Sequence, residues 1–235
     1  MKEKIVLWGD SIGKGVIFSE VRRRYCLAKD RCVNLLRAEG YMIEDNARMG
    51  ATITEGFEEF TAAPAEAGDV VVIEYGGNDC DIDWDAVAGE PEIFHDGKTP
   101  LPLFRDTLRR FITEIRRRCQ KPVAVIPPPL EAGRYFRWIA RGRNAGKILD
   151  YLSDVQHIYR WHERYANAVR EAAQDQACPL LDLRMPFLDA RDLRALMCED
   201  GIHPNEDGQR LMAQAVLRQI SGCRPQHPAA LPAAV

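Results

Sequence analysis

The sequence predicts an α/β fold in which a central, mainly parallel five-stranded sheet lies between layers of helices. Short apolar runs typical of strands alternate along the chain with longer segments of helical periodicity, and this alternation favours parallel strands. The run VVVIEYG at residues 70–76 begins with four branched apolar residues, as expected of a strand buried on both faces. With 235 residues, 46% of them hydrophobic, the chain can bury the core of such a fold.

Five short apolar runs bounded by charged or turn-forming residues are the predicted strands. They are residues 5–8, 41–45, 70–76, 123–127 and 180–183, of which the second is the weakest candidate. Apolar residues at helical spacing predict four helices between and after these strands. They cover residues 30–39, 103–119, 155–177 and 205–220. We expect Gly40 to cap the end of the first helix and Asn205 to be the N-cap of the last.

Two long connections interrupt the alternation, at residues 80–102 and 128–153. Loops of this length in a compact domain are commonly lids or binding loops. We therefore expect one domain over residues 1–220 with two insert loops. The last segment, residues 221–235, is rich in proline and alanine without periodicity, which predicts a disordered tail.

Charge and cysteine content narrow the choice of partners and compartment. The chain has 32 basic and 35 acidic side chains, and a formal net charge of -3 gives no reason to expect binding to nucleic acid or to a membrane surface. The seven cysteines are scattered without a CxxC spacing, which favours reduced thiols over a disulfide framework or a zinc site. The first apolar run directly follows MKEK, without the pattern of a signal peptide, and no stretch is long enough to span a membrane. We expect a cytoplasmic protein without stable membrane association.

The glycine-rich turn GDSIGKG, which follows the first strand, raises the question of nucleotide binding. It lacks the GxxxxGK[ST] spacing of a phosphate-binding Walker loop. It also fails the dinucleotide-binding pattern, because Val16, Ile17 and Phe18 stand where the third glycine is needed. A structural alternative is that Asp10 and Ser11 only cap the helix after the strand.

Later segments supply the groups that a nucleophilic Ser11 requires. In DGIHPNEDG, Asp200 precedes His203 by three residues, so that its carboxylate can accept from one ring nitrogen while the other nitrogen takes a serine proton. Gly50 and Asn78 are candidate oxyanion donors, because a glycine N–H allows close approach and an amide after a rigid strand is held in place. Each of these patterns in isolation is also compatible with an ordinary turn.

Taken together and in this order, GDS, the glycine after the second strand, GGND and DGIHP resemble the SGNH hydrolases, also called the GDSL lipase and esterase family. The resemblance implies a flavodoxin-like α/β/α domain with Ser11 as nucleophile, His203 as general base and Asp200 as orienting acid. It also implies an oxyanion hole formed by the N–H groups of Ser11 and Gly50 and the side chain of Asn78. No metal or organic cofactor is expected.

The segment at residues 131–152 mixes aromatic side chains with arginines. As a lid over the site it would offer Arg137, Trp138 and Arg141 as substrate-binding residues, with aromatic faces for a sugar or acyl group and guanidinium groups for an anionic one. Alternatively, the segment is an exposed amphipathic helix whose aromatic residues pack inward and whose arginines are solvated.

These observations predict a serine ester hydrolase of the carboxylesterase or acetylesterase type. Since no long apolar stretch indicates a lipid-binding surface, a small or carbohydrate-linked ester is the expected substrate. An acyltransferase or a thioesterase would use the same residues. A non-catalytic binding module that kept the fold is a further alternative, and a nucleotide-binding protein is the least favoured. The sequence does not indicate an oligomeric state.

Overall fold

The computed structural model describes residues 4–64 and 66–220 of the chain. Its strands are, in chain order, β1 (Ile5–Gly9), β2 (Val16–Ser19), β3 (Arg24–Leu27), β4 (Ile43–Asp45), β5 (Val70–Glu74), β6 (Lys121–Ile126) and β7 (Leu180–Asp182). The first six helices are α1 (Ser11–Lys14), α2 (Cys32–Ala38), α3 (Ile53–Ala62), α4 (Gly77–Cys80), α5 (Trp84–Gly89) and α6 (Leu101–Arg117). The later ones are α7 (Ala132–Ile139), α8 (Ala145–Leu152), α9 (Gln156–Asp175), α10 (Met185–Leu188), a 3-10 helix (Leu193–Leu196) and α11 (Glu206–Ile220).

Five strands form the main sheet in the order β4-β1-β5-β6-β7, and every neighbouring pair is parallel. Counted in chain order among themselves, these strands are arranged 2-1-3-4-5, which is the flavodoxin-like order. The predicted α/β fold class is therefore confirmed. After β1 the chain adds β4 on one side of it, and it then returns to add β5 on the other side. Such a switch point opens a crevice at the carboxyl ends of the two strands, where ligands bind in folds of this type.

Each central strand sends alternate residues to opposite faces of the sheet. Val6 and Trp8 of β1 pack with α3, α6 and α9 on one face. Leu7, between them in sequence, packs on the other face beside Val33 of α2, where α11 also covers the sheet. Both faces of the central strands are buried, which explains why the strand at residues 70–76 begins with an unbroken apolar run.

The connection at residues 80–102, expected to be a loop, contains helix α5. The connection at residues 128–153 contains helices α7 and α8, which agrees with the helical alternative for residues 131–152 rather than with a loop, although the segment forms two helices and not one. Trp84, Val87, Tyr135, Ile148 and Leu152 of these helices belong to one buried apolar cluster. Each helix has only six to eight residues, too short for helical periodicity to stand out from the surrounding turn residues. That residues 1–220 form one domain stays a prediction. The first three residues of this range lie outside the described residues.

The hairpin of β2 and β3 and the helix α3 were not predicted. Each hairpin strand has four residues, and their antiparallel pairing from Val16↔Leu27 to Ser19↔Arg24 forms a separate two-stranded sheet. A local signal for α3 exists in the capping box formed by Thr52 and Glu55. The tail predicted for residues 221–235 lies outside the described residues. No helix in the part of the chain that the structure describes is long and apolar enough to cross a membrane.

Candidate active site

Ser11 lies at the carboxyl end of β1 and is the first residue of α1. Asp10 is the N-cap of this helix, and its Oδ1 accepts a hydrogen bond of 2.8 Å from the N–H of Ile12. The capping role considered from the sequence is therefore present. Because Ser11 opens the helix, its own N–H has no partner within the helix. No described residue accepts a hydrogen bond from it.

The structure explains why two positions of this turn, 13 and 15, are glycine. A Cβ at Gly13 would lie 2.9 Å from Glu74 Oε2, the atom to which the Gly13 N–H donates a hydrogen bond of 2.9 Å. Gly15 caps the end of α1 with φ of +75°, a conformation that side chains disfavour. Close approach to Glu74 and a left-handed cap account for glycines that match no phosphate-binding pattern.

A chain of hydrogen bonds connects Ser11, His203 and Asp200. His203 Nε2 lies 2.9 Å from Ser11 Oγ, and His203 Nδ1 lies 2.7 Å from Asp200 Oδ2. An ionised carboxylate only accepts hydrogen bonds, so Nδ1 carries the ring proton and Nε2 presents a lone pair to the serine hydroxyl. This is the arrangement that lets an imidazole take the proton of an attacking serine.

The position of His203 depends on the turn that begins at Asp200, whose side chain is fully buried. Asp200 Oδ1 accepts hydrogen bonds from the N–H groups of Ile202 (3.0 Å) and His203 (3.1 Å). Burial alone would raise the pKa of Asp200, but the hydrogen bonds and charge of His203, together with these N–H groups, outweigh burial and lower it. The carboxylate is therefore ionised and rigidly held at neutral pH.

The hairpin that the sequence analysis missed covers this pair. The Tyr25 ring lies 5.2 Å from the His203 ring, measured between centroids, at an interplanar angle of 58°. Phe18 packs edge-on against Tyr25 at 5.3 Å. Burial, followed by the negative charge of Asp200, raises the pKa of the Tyr25 hydroxyl, so that the tyrosine stays neutral.

Asn78 lies on α4, directly after β5, and lines the same pocket as Ser11 and His203. Its Nδ2 donates a hydrogen bond of 3.2 Å to the carbonyl of Ala51. This bond uses one amide N–H and leaves the second available. Gly50 is exposed with φ of +82° and is not among the residues that line the pocket. The structure therefore brings together four of the five predicted residues, and the role of Gly50 stays a prediction.

The pocket beside Ser11 has a volume of about 80 Å³ and a mostly apolar wall. The helices of the two long connections and α9 provide much of this wall. Its apolar and aromatic residues include Trp84, Leu130, Tyr135, Leu152, Ile158 and Trp161. The long connections thus contribute to the site, although through residues that were not predicted.

Arg137, Trp138 and Arg141 do not line this pocket. Arg137 is exposed, whereas Trp138 packs edge-on against Phe18 of the hairpin with ring centroids 4.7 Å apart. The Arg141 guanidinium lies 4.0 Å from the centre of the Trp138 ring and forms an ion pair with Glu199. Both side chains are therefore engaged with protein groups on the hairpin side, and a substrate-binding role for the three residues stays a prediction.

Two buried carboxyl groups, Asp10 and Glu74, lie beneath the serine turn. Burial raises the pKa of Asp10 to about 6, although hydrogen bonds such as that from Ile12 oppose the change. Burial, and then the charge of Asp10, raises the pKa of Glu74 well above its ordinary value. The pair therefore holds a proton. The buried pair was not predicted, and the sequence signal for it was the glutamate within the otherwise apolar run VVVIEYG.

Two histidines of α9, His157 and His162, also line the pocket. Neither was predicted at the site, and a spacing of five residues does not suit a pair of metal ligands on one helix. Within residues 4–64 and 66–220, no group of three or more His, Cys, Asp or Glu side chains is placed to hold a metal ion.

A serine, histidine and aspartate linked by hydrogen bonds at the switch point of a flavodoxin-like sheet define a hydrolase of the SGNH class. Comparison with protein families indicates the same class. A family model described as the GDSL-like lipase/acylhydrolase family matches residues 7–211, and the chain belongs to that family. The protein is an SGNH-type ester hydrolase.

Similarity to known proteins extends over nearly the whole chain. It is 23% identical over 229 residues to the GDSL esterase/lipase CPRD49 of Arabidopsis thaliana, a match that covers 93% of this chain and 79% of that protein. The lipase/acylhydrolase of Enterococcus faecalis is similar in structure, with a TM-score of 0.62, 21% identity and coverage of 96% of this chain and 100% of that one. The acetyl xylan esterase AlAXEase has a TM-score of 0.59 and 20% identity, with coverage of 92% and 99%.

Proposed function

We propose that this protein hydrolyses small or carbohydrate-linked esters of a short acyl group, with Ser11 as nucleophile, His203 as general base and Asp200 as orienting acid. One observation carries the proposal: the two hydrogen bonds, of 2.9 Å and 2.7 Å, that join the three side chains. A serine is a weak nucleophile unless a base takes its proton, and this arrangement supplies one.

In the proposed reaction Ser11 Oγ attacks the ester carbonyl carbon while His203 Nε2 takes the hydroxyl proton. The buried carboxylate of Asp200 stabilises the imidazolium that forms. When the tetrahedral intermediate collapses, His203 gives the proton to the departing alcohol and the acyl group stays on Ser11. Water then attacks the acyl-enzyme with His203 again as base, which releases the acid and restores the serine hydroxyl.

The proposed oxyanion donors are the Ser11 N–H, the free N–H of the Asn78 amide and the Gly50 N–H. The first has no partner among the described residues, and the second belongs to an amide held by Ala51. Donors that are fixed before the reaction stabilise the negative oxygen without reorganisation. For Gly50, the role of donor is supported by the family resemblance and by its position in the chain next to Ala51, whose carbonyl holds the Asn78 amide.

Pocket size supports a short acyl group. An apolar cavity of about 150 Å³ holds a benzene molecule, whereas the pocket beside Ser11 measures about 80 Å³. A chain of a few carbon atoms fits such a space, whereas a long fatty-acyl chain would extend beyond it. The structural similarity to an acetyl xylan esterase supports the acetylesterase type.

A cytoplasmic location belongs to the same proposal. The cysteines that the structure describes, Cys26, Cys32, Cys80, Cys119, Cys178 and Cys198, are all free thiols. Free thiols are usual in reducing compartments. Cys223 lies outside the described residues. The proposed partner is a small-molecule ester.

The first test is hydrolysis of p-nitrophenyl acetate, butyrate and decanoate by the purified protein and by Ser11→Ala. We expect turnover of the two short esters, poor turnover of decanoate, and a loss of roughly 10⁴-fold or more in kcat for the variant. Ser19→Ala is a matched control, because Ser19 is at the end of β2 and its hydroxyl only accepts from the Arg22 N–H. Full turnover by a folded Ser11→Ala variant would refute the mechanism.

A further inference from the structure

Most polar groups on the pocket wall are already engaged with protein partners. The Tyr135 hydroxyl and the Trp84 indole N–H both donate to Asp81 Oδ1. The Trp161 indole N–H donates to the carbonyl of Cys80 at 2.8 Å. These rings therefore present apolar surface to a ligand and have no proton left to donate to it.

His162 differs from these residues, because the structure determines which of its nitrogens carries the proton. Its side chain is buried with 5% of its surface exposed, and its Nδ1 lies 3.2 Å from Arg184 Nη1. A guanidinium can only donate hydrogen bonds, so Nδ1 must be the acceptor. The proton of the neutral ring is then on Nε2.

Arg184 is fully buried and is held on several sides. It forms an ion pair of 2.6 Å with Glu163, and its guanidinium lies 5.2 Å from the centre of the Tyr159 ring. Burial, and then the charge of Arg184, lowers the pKa of His162 to about 3. The ring therefore stays neutral at neutral pH, with one fixed tautomer.

The Nε2–H of His162 has no hydrogen-bond partner within the described part of the chain. The Nε2 atom is also not one of the fully buried side-chain atoms that lack a hydrogen-bond partner, so it is not completely shielded from solvent. Since His162 lines the pocket that contains Ser11, this N–H is the candidate donor to a ligand in that pocket. A donor with a fixed tautomer in a largely apolar wall can orient a ligand and select it.

We propose that His162 is a specificity-determining residue, whose Nε2–H donates a hydrogen bond to a neutral oxygen on the part of the ester that enters the pocket. The inference rests on the proposed esterase function and adds the substrate class. The preferred esters carry a hydroxyl, ether or carbonyl oxygen near the scissile bond, rather than a plain alkyl chain. An anionic group is disfavoured, because the carboxyl groups of Asp10 and Asp81 also line the pocket.

The test compares esters that differ only in one oxygen. In the acyl series, p-nitrophenyl methoxyacetate is compared with p-nitrophenyl butyrate; in the alcohol series, 2-methoxyethyl acetate is compared with butyl acetate in a pH-stat. The two series distinguish an oxygen on the acyl side from one on the alcohol side. Intrinsic reactivity cancels when the ratio of kcat/KM values within a pair is compared between wild type and variant.

We expect His162→Phe to lower the ratio of oxygen-bearing to alkyl ester by about tenfold in one of the two series, the effect of losing one neutral hydrogen bond. The loss should lie mainly in KM, since the proposed hydrogen bond holds the ligand and does not act on the reacting atoms. His162→Gln, which keeps an N–H donor, should restore most of the ratio. His157→Phe removes the other pocket imidazole and should leave it unchanged.

An unchanged ratio in both series for His162→Phe, or an equal loss for His157→Phe, would overturn the inference. If His162→Phe does not fold, His162→Met serves the same purpose with a flexible apolar side chain. Failure of the esterase function itself would be recognised separately, as absence of Ser11-dependent hydrolysis of every ester, and the inference would fall with it. Ser11-dependent hydrolysis with an unaltered ratio would overturn the role of His162 alone.

Discussion

At position 13, the space for a side chain is occupied by Glu74. A Cβ would lie 2.9 Å from Glu74 Oε2, and this carboxyl group is buried against Asp10, so it cannot move into solvent. Gly13 is also two residues after Ser11 in a helix of only four residues. Any shift that relieves the contact is therefore transmitted to the serine.

We expect Gly13→Ala to destabilise the protein by about 1–3 kcal/mol, the usual range for overpacking a buried site, and to lower kcat on a short ester. Thermal unfolding and steady-state kinetics on the same preparation measure the two effects. Gly89→Ala is the matched control, since nothing lies within 4 Å of a Cβ built there. A Gly13→Ala variant as stable and active as the control would show that Glu74 adjusts freely.

Single residues also show which parts of the candidate site a local sequence pattern can predict. Ser11, Asp200, His203 and Asn78 were predicted as site residues because each stands in a short motif beside a predicted strand or helix end, and the structure places them close together. His162 and Arg184 stand in no motif, and their hydrogen bond joins residues 22 positions apart. A local sequence pattern carries no information about a contact between two residues so far apart in the chain.

At the scale of elements, the start of the last helix helps to hold His203, the proposed base. His203 and Pro204 immediately precede α11, and Asn205 is its N-cap, as predicted. Asn205 Oδ1 accepts from the N–H groups of Asp207 and Gly208, both at 3.0 Å, and Asn205 Nδ2 donates to the carbonyl of Ala195 at 2.8 Å. The cap therefore ties the start of the helix to the preceding 3-10 turn.

We expect Asn205→Ala to cost about 1–2 kcal/mol in unfolding free energy, as for other lost N-caps. Activity should fall as well, because the turn that holds His203 loses an anchor. Asn205→Asp keeps the acceptor oxygen and suits the helix dipole, so it should retain more stability than the alanine variant. Urea unfolding of the three proteins measures this order, and equal losses for both variants would contradict the capping role.

The insert helices and the hairpin show the limit of element prediction. Helices α5, α7 and α8 are stabilised by burial of Trp84, Tyr135 and Ile148 in a shared cluster rather than by their own length. The hairpin is similarly held by packing of Phe18 against Trp138. Elements that depend on distant partners leave little signal in their own residues.

For the whole molecule, Asp79 couples the end of the central strand to the opposite side of the site. Asp79 Oδ1 accepts a hydrogen bond of 2.9 Å from the N–H of Ile53 at the start of α3. Burial raises the pKa of Asp79 from 3.8 to about 7, although hydrogen bonds such as that from Ile53 oppose the change. The folded protein therefore binds this proton more tightly than the unfolded chain.

It follows that Asp79 lowers stability as pH rises from about 4 to about 7, because the unfolded chain ionises first. We expect Asp79→Asn, which keeps an acceptor for Ile53, to become progressively more stable than wild type over this interval. The difference should reach on the order of a few kcal/mol. Urea unfolding at pH 4.5, 6 and 8 measures it.

Asp85→Asn is the control, since Asp85 is exposed and its hydrogen bonds with Arg143 lower its pKa. A lowered pKa contributes stability that is complete above the ordinary pKa of 3.8 and is lost only at lower pH. The difference between Asp85→Asn and wild type should therefore be small, because the pair is exposed, and constant from pH 4.5 to pH 8. A pH-independent difference between Asp79→Asn and wild type would show that Asp79 is not protonated in the folded protein.

The sequence by itself predicted the strands of the main sheet, its three longest helices and the candidate catalytic residues, because periodicity and motifs are local properties of the chain. The order of the strands and the contents of the pocket were decided only by tertiary structure. Ser11 and His203 are 192 positions apart, and their distance depends on how both faces of the sheet are covered. Packing likewise brought Tyr25 over His203 and His162 into the pocket, while it turned Trp138 away. These placements arise from burial shared among distant elements, which no local stretch of sequence specifies.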